Sequence, residues 1–272
     1  AVVSNMTRGR SCSCLMAEKA ETDVFPIDMG IACEVEHRGE LHPLTERKIR
    51  RGTSNFTKAA AMTRQEVLTA ILTGIDAVRV LKEQGYCLFA VGEMGIGNTT
   101  TSSAVASVLL QKEPELVTGA GAGLDSAGLK RKTEAIRCGI KLHHPDPMEG
   151  MEILQKVGGF DLAAMAGAFL GGAIYHVPVV IDGVIAAAAA AAAGKIAPAA
   201  TDYMLAAHVS AEPASIWLLD LIGVTPAIQA GLRLGEGTGA LALFPLLDMA
   251  LSIYRDMDTF AEMEIEEYKP LV

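Results

Sequence analysis

The chain has 272 residues, of which 50% are hydrophobic and only 5% aromatic, and its formal net charge at pH 7 is -9. This length allows one large domain or two small ones. The negative charge argues against a nucleic-acid partner, whose binding surface would need a basic stripe. Many glycines and alanines with few aromatic residues favour close packing of helices on a sheet, as in α/β proteins.

The elements predicted from the pattern alternate between strand and helix. An apolar run at Thr22–Gly30 predicts a buried strand, and Thr63 with Glu66 forms a capping box that begins a helix ending at Gly85. Further along the chain we predict strands at 86–92, 178–182 and near 204–209, and helices at 99–112, 125–140, 186–193 and 240–253. This order indicates a mostly parallel sheet with helices on both faces.

One uncharged run, 162–181, is long enough to cross a bilayer. It contains several glycines as well as His176 and Pro178. We therefore predict a small-residue helix, a turn and a strand in this run, and no membrane partner. The five cysteines include no CxxC pair, so we expect reduced thiols in the cytoplasm rather than a zinc site.

Ligands of parallel sheets bind beyond the carboxyl ends of the strands. We therefore expect the glycine loops at 92–97, 119–123 and 235–239 to lie close together. The first begins GEMGIGNTTTSSAV and resembles a phosphate loop, but Asn98 and Thr99 stand where that motif has Lys and Ser or Thr. Its glycines and threonines at a helix start predict either a site for one phosphate or a tight structural turn.

The loop LGEGTGA at 234–240 has the same character, because Glu236 stands between two glycines and a ligand could approach it closely. The alternative is a structural ion pair with Arg233. In the cluster 130–132, Lys132 could point inward to a phosphate, or the whole cluster could be a solvated face. His208 and Glu212 are spaced as a metal pair, but Pro213 argues against one, so we expect no metal and no cofactor.

Seven stretches of the chain, taken together and in this order, resemble the nicotinate-nucleotide–dimethylbenzimidazole phosphoribosyltransferase family. They are GEMGIGNTTTSSAV, TGAGAGL, VGGFDLAAMAGAFLGGA, PVVIDG, HVSAEP, RLGEGTGA and DMDTFAE, and the resemblance runs from about Thr22 to Glu267. The resemblance implies a homodimeric, Rossmann-like α/β enzyme of the cobalamin pathway. Such an enzyme exchanges nicotinate for 5,6-dimethylbenzimidazole on nicotinate mononucleotide and forms α-ribazole 5′-phosphate.

The resemblance also implies roles for particular residues. Glu236 matches the general base of the family, and Glu93 is expected beside the sugar and the base. The remaining expected substrate-binding residues are Gly95, Gly97, Asn98, Thr99 and Lys132 at the phosphate, and Gly235 and Gly237 beside the general base.

Two departures from the family pattern qualify this expectation. Ala120 stands where many relatives have arginine, and the family's Lys-Pro-x-Gly-Ser-Leu-Gly motif and Asp-His-Gly strand end do not occur in the chain. We therefore expect 1–272 to be a single core domain that lacks the family's N-terminal segment, with a helical tail at 255–272. The alternatives are a nucleotide-binding fragment that needs a partner chain, and the same chemistry on adenine or a phenol.

Overall fold

A computed structural model describes residues 1–35, 39–121, 123–266 and 269. The helices are α1 (Val2–Thr7), α2 (Cys12–Lys19), α3 (Arg64–Glu83), α4 (Thr99–Leu110), α5 (Pro114–Val117), α6 (Ser126–His143), α7 (Gly150–Val157), α8 (Phe160–Tyr175), α9 (Val184–Ile196), α10 (Ser215–Leu221) and α11 (Thr238–Asp256). The strands are β1 (Ile27–Asp28), β2 (Thr45–Glu46), β3 (Phe89–Val91), β4 (Val179–Ile181) and β5 (Met204–Ala206).

The central sheet contains β3, β4 and β5 in that order, and all of them run parallel. Alternate residues of β4 face opposite sides, as a strand requires. Val179 and Ile181 belong to the larger hydrophobic core, which includes α4, α8 and α9, whereas Val180 packs with α2 and α11. The predicted α/β class, with a parallel sheet covered by helices on both faces, is therefore confirmed.

Small residues allow the helices of the larger core to approach one another closely. A Cβ atom on Gly74 of α3 would lie 1.9 Å from the carbonyl oxygen of Ala164 in α8, and one on Gly167 would lie 2.0 Å from that of Ile71. The alanine run 186–193 is entirely buried in α9. The capping box predicted for α3 is present, since Thr63 Oγ1 accepts from the N–H group three residues later.

Two predictions differ from the structure. The strand expected at 22–30 is reduced to Ile27–Asp28, because it pairs only with the equally short β2. At the other end, α11 includes only residues 255 and 256 of the predicted helical tail, and turns follow at 260–264, so the described tail beyond Asp256 is not α-helical. Residues 267, 268 and 270–272 lie outside the described residues. None of the helices that the structure describes is long and apolar enough to cross a membrane.

Candidate active site

Two of the glycine loops are in backbone contact at the carboxyl edge of the central sheet. The N–H group of Glu236 donates to the carbonyl oxygen of Glu93 at 2.7 Å. A Cβ atom on Gly92 would lie 2.2 Å from the nitrogen of Gly237, so only glycine fits there. The two loops predicted to be neighbours therefore are neighbours, and the two glutamates come from adjacent backbone segments.

Glu236 stands in an unusual backbone turn. Gly235, Glu236 and Gly237 have φ angles of +87°, +59° and +75°, a left-handed conformation that glycine adopts easily and glutamate rarely does. Its carboxylate oxygen Oε2 lies 3.3 Å from both the nitrogen and the hydroxyl of Ser13. Within the part of the chain that the structure describes, Glu236 contacts Ser13 and forms no ion pair with Arg233, so the alternative of that ion pair is not observed.

Glu93 is surrounded by both donors and acids. Its Oε2 accepts from the N–H group of Gly95 and from Nδ2 of Asn98, the latter at 2.5 Å. The same Asn98 nitrogen lies 2.7 Å from Oδ2 of Asp161. Burial raises the pKa of the Glu93 carboxyl to about 7; Asn98 and Gly95 oppose the rise, while the charges of Asp161 and Asp182 add to it. Glu93 is therefore suited to exchange a proton near neutral pH.

Asp182 directly follows β4 and fixes the start of α11. Its buried carboxylate accepts from the N–H groups of Gly237 at 3.2 Å and Gly239 at 2.7 Å. The ring nitrogen Nε2 of His208 lies 3.7 Å from the same carboxylate. Burial lowers the pKa of the His208 imidazole, but Asp182 and a backbone carbonyl raise it, and the net shift is upward. The pair thus anchors the turn that carries Glu236.

Lys132 is the member of the basic cluster that points inward. Only 5% of it is exposed, and its Nζ donates to Oγ1 of Thr99 and to the carbonyl oxygen of Gly119, each at 3.0 Å. Burial lowers the pKa of the Lys132 ammonium, and the nearby Glu212 carboxylate opposes this. The loop at 119–123 therefore meets the first glycine loop through Lys132, although Ala122 lies outside the described residues.

A cavity of about 170 Å³ opens between these loops. Its walls include the side chains of Glu93, Thr99, His208 and Glu212. Lys132 is not one of the residues that line the cavity; it lies behind Thr99, to which it is hydrogen-bonded. A larger groove of about 620 Å³ at the C-terminal ends of α4 and α6 contains none of the predicted site residues, so the glycine loops rather than cavity size locate the site.

Sequence reasoning missed several residues of this site. Asp182 could have been found, because it ends a predicted strand at the edge where ligands bind. Asp161 is the first acidic residue of α8, but nothing in the sequence connects it with Asn98. Ser13 gave no signal either, because 223 positions separate it from Glu236.

The chain is similar to known proteins over nearly its whole length. A family profile described as "Phosphoribosyltransferase" matches residues 1–265. The nicotinate-nucleotide–dimethylbenzimidazole phosphoribosyltransferase of Ruminiclostridium cellulolyticum is 44% identical over 270 residues, which cover 99% of this chain and 76% of that protein. The protein of the same name from Acetivibrio thermocellus is 41% identical over 271 residues, 100% of this chain and 76% of that protein.

Similarity extends to three-dimensional structure. The crystal structure of CobT from Thermus thermophilus superposes with a TM-score of 0.90 at 38% sequence identity, over 98% of this chain and 78% of that one. The chain therefore belongs to the phosphoribosyltransferase family that includes the nicotinate-nucleotide–dimethylbenzimidazole phosphoribosyltransferases.

Proposed function

We propose that this protein transfers the 5-phosphoribosyl group of nicotinate mononucleotide to 5,6-dimethylbenzimidazole, giving α-ribazole 5′-phosphate and nicotinate. The names of its relatives support this proposal. The observation that carries it is the juxtaposition of Glu93 and Glu236, whose loops are hydrogen-bonded to each other beside the buried Lys132 site.

The reaction needs two acidic side chains and no metal-bound pyrophosphate. Nicotinate is attached as a pyridinium, so its departure leaves a neutral ring and requires no acid. Positive charge then develops at the anomeric carbon, where the Glu93 carboxylate stabilises it. The incoming benzimidazole attacks through one ring nitrogen and must lose the proton on the other, and Glu236 accepts that proton. Attack on the face opposite the departing nicotinate inverts the configuration and gives the α product.

The phosphate is held at the other side of the cavity. The Thr99 hydroxyl lines the cavity and supplies a donor to the phosphate, and the Lys132 ammonium behind Thr99 supplies positive charge. The N–H groups after Gly95 and Gly97 lie at the start of α4, where an anion is favoured. In the present structure Gly95 and Asn98 donate to Glu93. We therefore assign Asn98 the task of orienting Glu93.

The glycines on either side of Glu236 have a separate task. Gly235 and Gly237 carry no side chain, so the planar base can approach the Glu236 carboxylate closely. A bulkier neighbour at either position would block that approach.

We also propose a homodimer in the cytoplasm. From Leu246 onward α11 exposes large apolar side chains, including Met249 and Ile253 at the spacing of one helix face, and a second copy of the chain would cover them. All five cysteines are free, as expected in a reducing compartment.

The activity test uses the purified chain with nicotinate mononucleotide and 5,6-dimethylbenzimidazole, and nicotinate release and product formation are followed by chromatography with mass detection. Glu236→Gln is expected to lower turnover by about a hundredfold or more, because the base is lost, while binding of the mononucleotide persists. Unchanged turnover would remove Glu236 from this role. Adenine and a phenol, offered in competition, test whether another acceptor is preferred.

A second variant tests the phosphate site. Lys132→Ala is expected to raise the KM for the mononucleotide more than the KM for the base, because it removes a positive charge that favours the phosphate and has no counterpart in the base. Lys141→Ala, an exposed lysine on the same helix, is the control and should leave both constants unchanged. Equal effects of Lys132→Ala on both substrates would contradict its assignment. A wild-type protein that binds mononucleotide but releases no nicotinate would indicate the partner-dependent alternative.

A further inference from the structure

The short helix α2 reaches the candidate base through a buried serine. Ser13 is only 3% exposed, and both its backbone nitrogen and its Oγ lie 3.3 Å from Oε2 of Glu236. Its N–H group belongs to the first turn of α2, where backbone donors have no partner within the helix. Within the described part of the chain, these are the hydrogen bonds that reach the Glu236 carboxylate.

A second buried serine lies against the first. Ser11 caps α2 by accepting from the N–H group of Cys14, and its Oγ lies 2.7 Å from the Oγ of Ser13. Since a carboxylate can only accept, the Ser13 hydroxyl donates to Glu236. The single proton of the Ser11 hydroxyl has two acceptors within reach, the Oγ of Ser13 and the Sγ of Cys14 at 3.1 Å.

The backbone of Glu236 is held firmly without Ser13. Its N–H group is bonded to Glu93, and the next residue is bonded to Asp182. These backbone bonds do not fix the position of the Glu236 carboxylate, because several rotatable bonds separate it from the backbone. The two contacts from Ser13 to Oε2 restrict where that carboxylate can lie.

We propose that Ser13 is a positioning residue that holds the Glu236 carboxylate in place and aimed at the acceptor base. The inference rests on the proposed function of Glu236 as general base. It adds a residue far away in the sequence to the machinery of proton transfer.

The test compares Ser13→Ala with Ser107→Ala, a control in which an equally buried serine loses a hydrogen bond to the carbonyl oxygen of Lys112 far from Glu236. Ser13→Ala is expected to lower kcat about tenfold with little change in the KM for the mononucleotide. The control should keep the wild-type kcat and KM.

A measurement that needs no turnover separates this inference from the proposed function. The Glu236 carboxylate is located in crystal structures of the wild type and of Ser13→Ala. A carboxylate that leaves its wild-type position or loses order in the variant supports the role of Ser13 even if the wild type proves inactive on these substrates. A carboxylate in the wild-type position together with a wild-type kcat would overturn it. If Ser13→Ala does not fold, Ser13→Cys, with similar volume and a weaker donor, replaces it under the same criteria.

Discussion

The two glutamates of the candidate site occupy opposite surroundings although their backbones touch. Glu93 is half-buried with Asp161 and Asp182 nearby, and these surroundings raise its pKa to about 7, so the ionised form that can face a developing cation is still present near neutral pH. Glu236 instead faces the donors of Ser13. Carboxyl groups whose environments differ in this way can take different roles in one reaction. This contrast supports Glu236 as the proton acceptor and Glu93 as the group beside the anomeric carbon.

The raised pKa of Glu93 predicts a pH-dependent stability. Because its folded-state pKa of about 7 exceeds the ordinary value of 4.5, the folded state binds the proton more tightly than the unfolded state. The protonated Glu93 carboxyl therefore contributes its full stabilisation at pH values below its ordinary pKa of 4.5, and this contribution is lost as the pH rises through about 7. Urea unfolding of the wild type and of Glu93→Gln should therefore show the wild type losing stability relative to the variant over this range. A difference that does not change with pH would contradict the assignment.

Sequence motifs predicted part of this site, because the residues of each motif are adjacent in the chain. Glu93 and Glu236 each stand among glycines in one short stretch, and the family pattern marked Lys132. The contacts that tune them come from distant segments, since Ser13 and Asp161 reach the site only through the packing of α2 and α8. Local sequence carries no signal for such contacts.

At the level of elements, the packing of α3 against α8 depends on glycine. At Gly74 of α3 and at Gly167 of α8, backbone atoms of the other helix occupy the place where a Cβ atom would stand. The sequence predicted both helices from their periodicity, and the capping box marked where α3 begins. It could not predict how closely the two helices approach, because glycines within a helix pattern have many explanations.

Gly167→Ala tests this packing. The added Cβ would meet the carbonyl oxygen of Ile71 at 2.0 Å, so we expect a loss of about 1 to 3 kcal/mol of unfolding free energy from overpacking. This loss should appear even though alanine favours a helix by about 1 kcal/mol over glycine. Leu72→Ala, at a position 59% exposed on α3, is the control and should change stability by only about 0.5 kcal/mol. Equal stabilities of the glycine variant and the wild type in thermal and urea unfolding would refute the close contact.

At the scale of the whole molecule, α11 has two different halves. Its first half packs against the sheet through Leu241 and Phe244, whereas the half after Pro245 is largely exposed and apolar. Large contiguous apolar surfaces of this kind mark sites of association. Hydrophobic pattern alone predicted a helix here but not which half would be covered, since the apolar residues continue along its length.

Replacement of Met249 and Ile253 by glutamate tests the proposed dimer. These side chains lie one turn apart on α11, and two charges there should prevent a second copy from packing against them. Sedimentation analysis should show a dimer for the wild type and a monomer for the double variant. Glutamate at Leu142 and Met148, which are also exposed, is the control and should leave the dimer intact. A monomeric wild type, or a dimeric double variant, would rule out this face as the interface.

The alanine run of α9 has a thermodynamic consequence for the whole fold. Alanine has no rotatable side-chain torsion, so burying eight of them freezes no rotamers and incurs no side-chain entropy loss. The centre of the larger core is thus assembled from residues whose ordering cost is confined to the backbone. The same run is also sterically constrained, because alanine side chains cannot change rotamer to make room for an added methylene group.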